Sequence, residues 1–318
     1  MTKFRTEMSK KVSIVIPTYN RKNIWSDSYL PVKSESKMQS ANNEILAGYE
    51  DVLLSSLLKQ TYKNLEIIIV DDGSTDGSDI ILDEIAELDS RIKIKHQKNQ
   101  GQSGARNTGI ELATGEFLFF IDDDDYIPVD YIESFMKPQY DKLDLVIDSY
   151  SYQEGDSTPI KYSWQECLVN SKNELVKMLV KMDNLYPFLV TAKRFRLDIL
   201  RKYDIRFYDG IKLGEDRPFC LDYIEKSNSC QIINKAGYIV KSRVNVSYRM
   251  SRGPKSVQDI WAQFSWNYNY LLRYYHRNSI EGIVKYADNY LISRTINYIF
   301  GGVQRKPKLL EPSLYHNS

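Results

Sequence analysis

The chain has 318 residues with 43 Lys+Arg against 42 Asp+Glu, a net charge of +1, and is 42% hydrophobic and 27% charged. That composition excludes a disordered or collagen-like chain, and at about 150 residues per domain the length provides for two structural units that need no disulfide staples. Cys167, Cys220 and Cys230 are too scattered for a disulfide framework or a paired-cysteine zinc site, and His96, His276 and His316 are too far apart for a histidine-rich one. Carboxylates are therefore the first candidates for chemistry, and a reducing compartment fits the cysteine usage. Met1 to Lys11 is charged and lacks the apolar stretch of a secretory signal, and no run of about 20 apolar residues occurs, so neither export nor a membrane crossing is predicted.

In chain order, Val12 to Ile16 is an apolar β-branched run ending at Pro17, and Glu66 to Val70 repeats it before Asp71-Asp72-Gly73. Both read as buried strands. Between them Ile45, Tyr49, Val52, Leu53 and Leu57 recur at helical spacing, as do Ile80, Ile81, Ile85 and Leu88 after the second. A third strand is predicted at Arg91 to Lys95, a helix at Gly104 to Ala113 and a fourth strand at Glu116 to Ile121. This alternation predicts an α/β fold, an open and mainly parallel sheet with helices on both faces. The stretch Ile24 to Asn43 is polar, aperiodic and long for a connection, which predicts a mobile loop. After Asp148 the pattern is irregular: a turn at Gly155 to Pro159, helices at Lys172 to Met182, Arg196 to Tyr203 and Asp216 to Lys226, and strands at Gln231 to Asn234 and Tyr238 to Val240. From Gln258, Ile260, Trp261, Phe264, Tyr268, Leu271, Leu272 and Tyr275 line one helical face, and a second tail helix is predicted over Ile280 to Ile299.

Charge divides the chain. Lys241 to Ser318 carries twelve Lys/Arg and four Asp/Glu, a balance of +8, against −7 for residues 1–240. A body over 1–240 and a basic, aromatic, mainly helical tail over 241–318 are expected. The helical spacing of its apolar residues favours packing onto the body or a second subunit over the anionic membrane surface or lipid-diphosphate acceptor that its charge also suits.

Polar residues stand at three strand ends: Thr18-Tyr19-Asn20, Asp71-Asp72-Gly73-Ser74 and Asp122 to Asp125. In open parallel sheets, ligands bind at such carboxyl ends. Four adjacent aspartates repel, so they mark either a solvated turn with Asp125 capping a helix or a site for a hard cation, Mn²⁺ or Mg²⁺, shared with a diphosphate. The spacing is not that of an EF-hand loop. Asn99 to Asn107, NQGQSGARN, reads as a loop opening a helix, where Arg106 either favours an anion or pairs with an aspartate. Asp72 can accept from a base or ribose, and Asp-Gly is also an ordinary turn.

Taken in order, VSIVIPTYNR (Val12 to Arg21), LEIIIVDDGSTDGS (Leu65 to Ser78), NQGQSGARNTGIELATGEFLFFIDDDD (Asn99 to Asp125) and GED (Gly214 to Asp216) resemble the inverting family-two glycosyltransferases of bacterial surface-polysaccharide synthesis. The resemblance implies a GT-A fold with a donor half over about 12–126 and an acceptor half over about 127–240. It implies that Pro17 and Tyr19 line the nucleotide base, that Asp72 accepts from it, and that Arg106 approaches the donor. Asp122-Asp123-Asp124 matches the DxD segment, with Asp124 the metal ligand and Asp122 or Asp123 at the ribose or metal. Asp216 matches the base, and Tyr248-Arg249 and Ser256 match a segment near the diphosphate. The implied partners are a nucleotide-sugar donor, UDP-sugar favoured, and a glycan or lipid-linked sugar acceptor, with no nucleic acid; the implied location is the cytoplasm or the inner face of the membrane. The long Asn20 to Gln60 connection departs from the family, and the missing QxxRW motif of processive members implies single-sugar transfer. A sugar-1-phosphate nucleotidyltransferase and a non-catalytic carbohydrate-binding protein remain the alternatives at this point.

Overall fold

The computed structural model describes residues 9–27, 29, 53–155, 157–175, 189–211, 214–242, 262 and 265–273. Met1–Gly253 forms one compact unit and Pro254–Ser318 a second. The first unit holds a nine-stranded sheet: β1 (Val12–Thr18), β2 (Leu65–Asp71), β3 (Ile92–His96), β4 (Phe117–Phe120), β5 (Leu145–Glu154), β6 (Ile160–Tyr162), β7 (Cys167–Val169), β8 (Lys193–Arg196) and β9 (Cys230–Ser242). Its helices are α1 (22–27), α2 (Leu53–Leu58), α3 (Ser78–Ala86), α4 (Gly101–Leu112), α5 (Tyr131–Phe135), α6 (172–175), α7 (Leu197–Lys202) and α8 (Asp216–Glu225).

The strand order is β3-β2-β1-β4-β8-β5-β9-β7, with β6 on β5. From β1 the chain steps outward through β2 and β3, then crosses back to place β4 on the other side of β1, all four parallel. The order therefore reverses between β1 and β4, and the crevice beyond their carboxyl ends is where an open α/β sheet binds ligand. All seven residues of β1 and of β2 are buried, which is why their centres, Ile14 to Ile16 and Ile67 to Val70, read as unbroken apolar runs. Gly109 of α4 lets that helix lie against β1, since a β-carbon there would stand 2.2 Å from Val15 Cγ1.

Three expectations change. The predicted Ile24 to Asn43 loop begins inside α1, and Trp25 is fully buried with its indole Nε1 donating to Thr18 Oγ1 at 2.9 Å. Residues 30–43 lie outside the described residues. Second, the region read as irregular holds β5, whose polar Asp148 is buried because its carboxylate accepts from the Lys235, Ala236 and Gly237 amides at 2.8–3.1 Å. Those amides belong to a bulge that shifts the β5–β9 register, so the two short strands expected at Gln231 and Tyr238 are one strand, with Ala236 at φ +51°. Third, α4 begins at Gly101 and not Gly104, because the Asp72 carboxylate accepts from the Gln100 and Gly101 amides at 2.9 and 2.7 Å.

In the second unit, residues 265–273 are helical, and Trp266 stacks on Tyr270 with ring centroids 5.6 Å apart. The rest of the expected tail stripe, apart from Tyr268, Leu271 and Leu272, and the helix over 280–299 lie outside the described residues, as does the 176–182 part of the helix expected from Lys172. Among the described residues no helix is long and apolar enough to cross a membrane.

The sheet's other end is tied by one buried acid. Glu66, 2% exposed in β2, accepts from Ser13 Oγ at 2.6 Å, from the Thr114 amide at 2.5 Å, and from Lys11 and Lys93 at 2.9 and 2.8 Å. Burial raises its pKa, but the bonds from Lys93, Ser13, Lys11 and Thr114 outweigh that and hold the carboxyl well below its ordinary range. Its stabilisation is present above the unfolded pKa and is lost as pH falls toward the lower folded value. Glu66→Gln is expected to cost about 3 kcal/mol at neutral pH. Urea unfolding of both proteins at neutral and acidic pH checks this, the difference shrinking in acid.

Candidate active site

Arg106 sits at the centre of the strand-end crevice. It is 1% exposed, on α4, and its guanidinium reaches carboxylates from two other segments: Nη2 to Asp122 Oδ1 at 2.9 Å, Nη1 to Asp216 Oδ1 at 2.8 Å and Nη1 to Glu215 Oε1 at 3.1 Å. It also lies over the Phe207 ring at 5.2 Å. Phe207 is held in place by Asn107, the next residue on α4, whose side chain accepts from the Phe207 amide at 2.8 Å and donates to its carbonyl at 2.9 Å. Phe207 stacks in turn on Phe219 of α8 at 4.1 Å.

One cation faces three carboxylates, and Asp216 is the one whose acidity is displaced. Burial pushes Asp216 up to about 7; Arg106 and the Val190 amide work against this, while Glu215 and Asp122 add to it. The Asp216 side chain is 13% exposed, and its second oxygen, Oδ2, accepts from the Val190 amide at 3.3 Å. A partly buried carboxylate near neutrality is suited to accept a proton.

The four aspartates divide by environment. Asp122 and Asp124 keep side chains 31% and 27% exposed, each with one oxygen in an arginine pair. Asp123 is buried and accepts from Thr18 Oγ1 at 2.6 Å, with Arg21 Nε 3.1 Å from its other oxygen. Arg21 Nη2 also reaches Asp124 Oδ2 at 3.1 Å. Asp125 does not cap a helix: it is buried, accepting from Tyr238 Oη at 2.7 Å and from the Lys241 amide at 3.1 Å. Burial and the charges of Asp124 and Asp122 raise its pKa well above the ordinary carboxyl value.

Of the other residues singled out from sequence, Pro17 is buried in β1 opposite Val70, and Tyr19 follows at the strand end, half-buried. Asp72 stands at the end of β2 with three donors already on it, Gln97 Nε2 at 2.8 Å and the two α4 amides, while burial raises its pKa. A carboxylate has about four acceptor positions, so it seats the helix that carries Arg106 and retains capacity for a ligand. Tyr248, Arg249 and Ser256 lie outside the described residues. Arg21 and Glu215 received no role from sequence reasoning. Arg21 closes the quoted TYNR segment and Glu215 stands within the quoted GED, but nothing in their spacing says which carboxylate or guanidinium each would meet.

Among the described residues no group of three or more His, Cys, Asp or Glu side chains is arranged to hold a metal ion by itself. The two half-exposed carboxylates, Asp122 and Asp124, do fit a divalent cation that takes its remaining oxygens from a substrate and water, the usual manner of Mg²⁺.

A family model for glycosyl transferase family 2 matches residues 43–204. The chain belongs to that family. It is 30% identical over 220 residues to an uncharacterized glycosyltransferase of Haemophilus influenzae, covering 68% of this chain and 72% of the relative. It is 28% identical over 260 residues to the glycosyltransferase GlyA of Streptococcus pneumoniae, covering 80% of this chain but only 32% of GlyA. The structure of S. aureus TarS residues 1–349 in complex with UDP-GlcNAc superposes with a TM-score of 0.60 at 21% identity, covering 92% of this chain and 73% of TarS 1–349, which shows the shared GT-A fold. Membership of a glycosyltransferase family decides against nucleotidyl transfer.

Replacing Arg106 by Met leaves Asp122, Glu215 and Asp216 without their common counter-ion. The family-2 chain is then expected to lose about 3–5 kcal/mol of stability at neutral pH. The deficit should shrink as pH falls and the orphaned carboxylates protonate, which denaturant unfolding at several pH values measures.

Proposed function

We propose that this family-2 glycosyltransferase moves a single sugar from a nucleotide-diphosphate sugar, UDP-sugar favoured, to a hydroxyl of a glycan or lipid-linked sugar acceptor, with inversion, in bacterial surface-polysaccharide synthesis. The observation that carries this reading is the shared arginine: Arg106 ties Asp122 of the aspartate run to Asp216 of α8, so the candidate base lies beside the donor segment. The UDP-GlcNAc bound by the structural relative TarS supports the choice of donor.

In this reading Asp216 takes the proton of the acceptor hydroxyl as that oxygen bonds to the anomeric carbon and the bond to the diphosphate breaks. Arg106 orients Asp216 and keeps enough of it ionised near neutrality. Asp72, Pro17 and Tyr19 receive the base, and Asp122 and Asp123 the ribose. Asp124 with Asp122 would hold Mn²⁺ or Mg²⁺, whose charge stabilises the departing diphosphate. The basic tail is assigned to packing on the body or a second subunit, with the inner membrane face as its other use.

Asp216→Asn is expected to keep donor binding and cut UDP release from UDP-sugars by roughly 10²–10⁴-fold. In the unsubstituted protein, turnover should rise as pH passes through about 7, because only the ionised Asp216 accepts a proton. Turnover that is flat with pH and insensitive to Asp216→Asn would remove the base assignment. For the cation, Asp124→Ala should abolish the Mn²⁺ dependence of UDP affinity in calorimetric titrations while leaving the unfolding midpoint nearly unchanged, since this carboxylate is half-exposed and outside the core.

A further inference from the structure

Lys193 is the least expected side chain near the base. It opens β8, paired with Ile147 in the interior of the sheet, and is 1% exposed. An apolar residue of similar volume would fill this position without the desolvation that a buried amine incurs. Its ammonium turns back on the segment just before it, where Nζ donates to the Leu189 carbonyl and to the Thr191 carbonyl at 3.4 Å. That segment is tightly constrained. Ala192 has φ +55°, a conformation residues with a β-carbon seldom adopt, and its carbonyl accepts from the Asp148 amide at 2.9 Å.

The same segment meets α8 twice. Asp216 and Cys220 lie four residues apart, one above the other on one helix face. Asp216 Oδ2 accepts from the Val190 amide at 3.3 Å, and Cys220 Sγ donates to the Leu189 carbonyl at 3.6 Å. Leu189 thus accepts from both Lys193 and Cys220, and the residue after it supplies the amide that aligns the candidate base.

We propose that Lys193 is a positioning residue for the base: its buried ammonium holds residues 189–192 in the shape that directs the Val190 amide at Asp216. This rests on the reading of Asp216 as the base. Among the described residues, the groups that act most on the pair are these. Arg106 and the Val190 amide favour ionised Asp216, while Glu215 and Asp122 oppose it. Around Lys193 stand Cys220, Cys230 and Asp216; burial lowers the amine's pKa and these three oppose that. Burial also pushes the Cys220 thiol up to about 12 and raises Cys230, so both are neutral and Asp216 is the anion of the set.

The test compares Lys193→Met and Lys193→Gln with the unsubstituted protein, following UDP release from a UDP-sugar on both sides of neutral pH. In Lys193→Met, kcat is expected to fall by about 10- to 100-fold, the scale of a misplaced catalytic group, with the donor KM within about threefold. The acid-side midpoint of the rate profile should move upward, because Asp216 loses both an aligned amide and a nearby cation. Lys193→Gln keeps a donor for the carbonyls and should recover part of kcat. A midpoint that stays in place, with activity lost only in proportion to folded protein, overturns the proposal, as does failure of both variants to fold, which would make Lys193 a core residue. Asp216→Asn separates the two levels. If it leaves turnover intact, the base reading itself fails. If it is crippled while the Lys193 variants keep the original midpoint, only the positioning role fails.

Discussion

One buried guanidinium organises the carboxylates of this crevice. Arg106 stands where Asp122, Glu215 and Asp216 converge, three potential negative charges on one positive charge. Removed from water, such a group must be neutralised, protonated or supplied with another cation. The protein shows the first two responses, in the arginine itself and in the rise of Asp216 toward neutrality.

The position of Arg106 depends on contacts well away from its charge. Asp72, at the end of a different strand, accepts the first amides of α4 and so sets where that helix begins. Gly109, two turns into the helix, has no β-carbon and lets it settle on β1. Asn107 then fixes the Phe207 backbone, so the ring beneath the guanidinium is anchored by the same helix. Arg106, Asn107 and Gly109, neighbours on one short helix, thus serve charge, ring placement and packing in turn.

The loops around the crevice are joined to each other by local hydrogen bonds. The Asn20 and Arg21 amides donate to Ser74 and Ser78 Oγ at 2.8 and 2.9 Å, and the Thr75 amide donates back to Asn20 Oδ1 at 2.8 Å. The turn after β1 and the turn after β2 therefore behave as one piece, and Arg21 extends that piece to the aspartate run.

The sequence by itself determined the parallel half of the sheet and the identity of the polar strand ends. Strands buried on both faces are mostly apolar, so β1, β2 and β4 announce themselves through their Ile, Val, Leu and Phe runs and the charges that end them stand out. It also singled out Arg106, Asp122 and Asp216 through the order of their motifs, and the structure brings them into contact. It did not reveal β5 and β8, because their buried Asp148, Lys193 and Arg194 look like surface residues until their partners, mostly backbone amides and carbonyls, are known. The four aspartates were equal in sequence. Only the tertiary structure decided that Asp125 is a buried acceptor for Tyr238, that Asp123 belongs to Thr18 and Arg21, and that Asp122 and Asp124 keep partly exposed side chains. A carboxylate's role depends on what surrounds it, and those surroundings come from segments more than a hundred residues away in the chain.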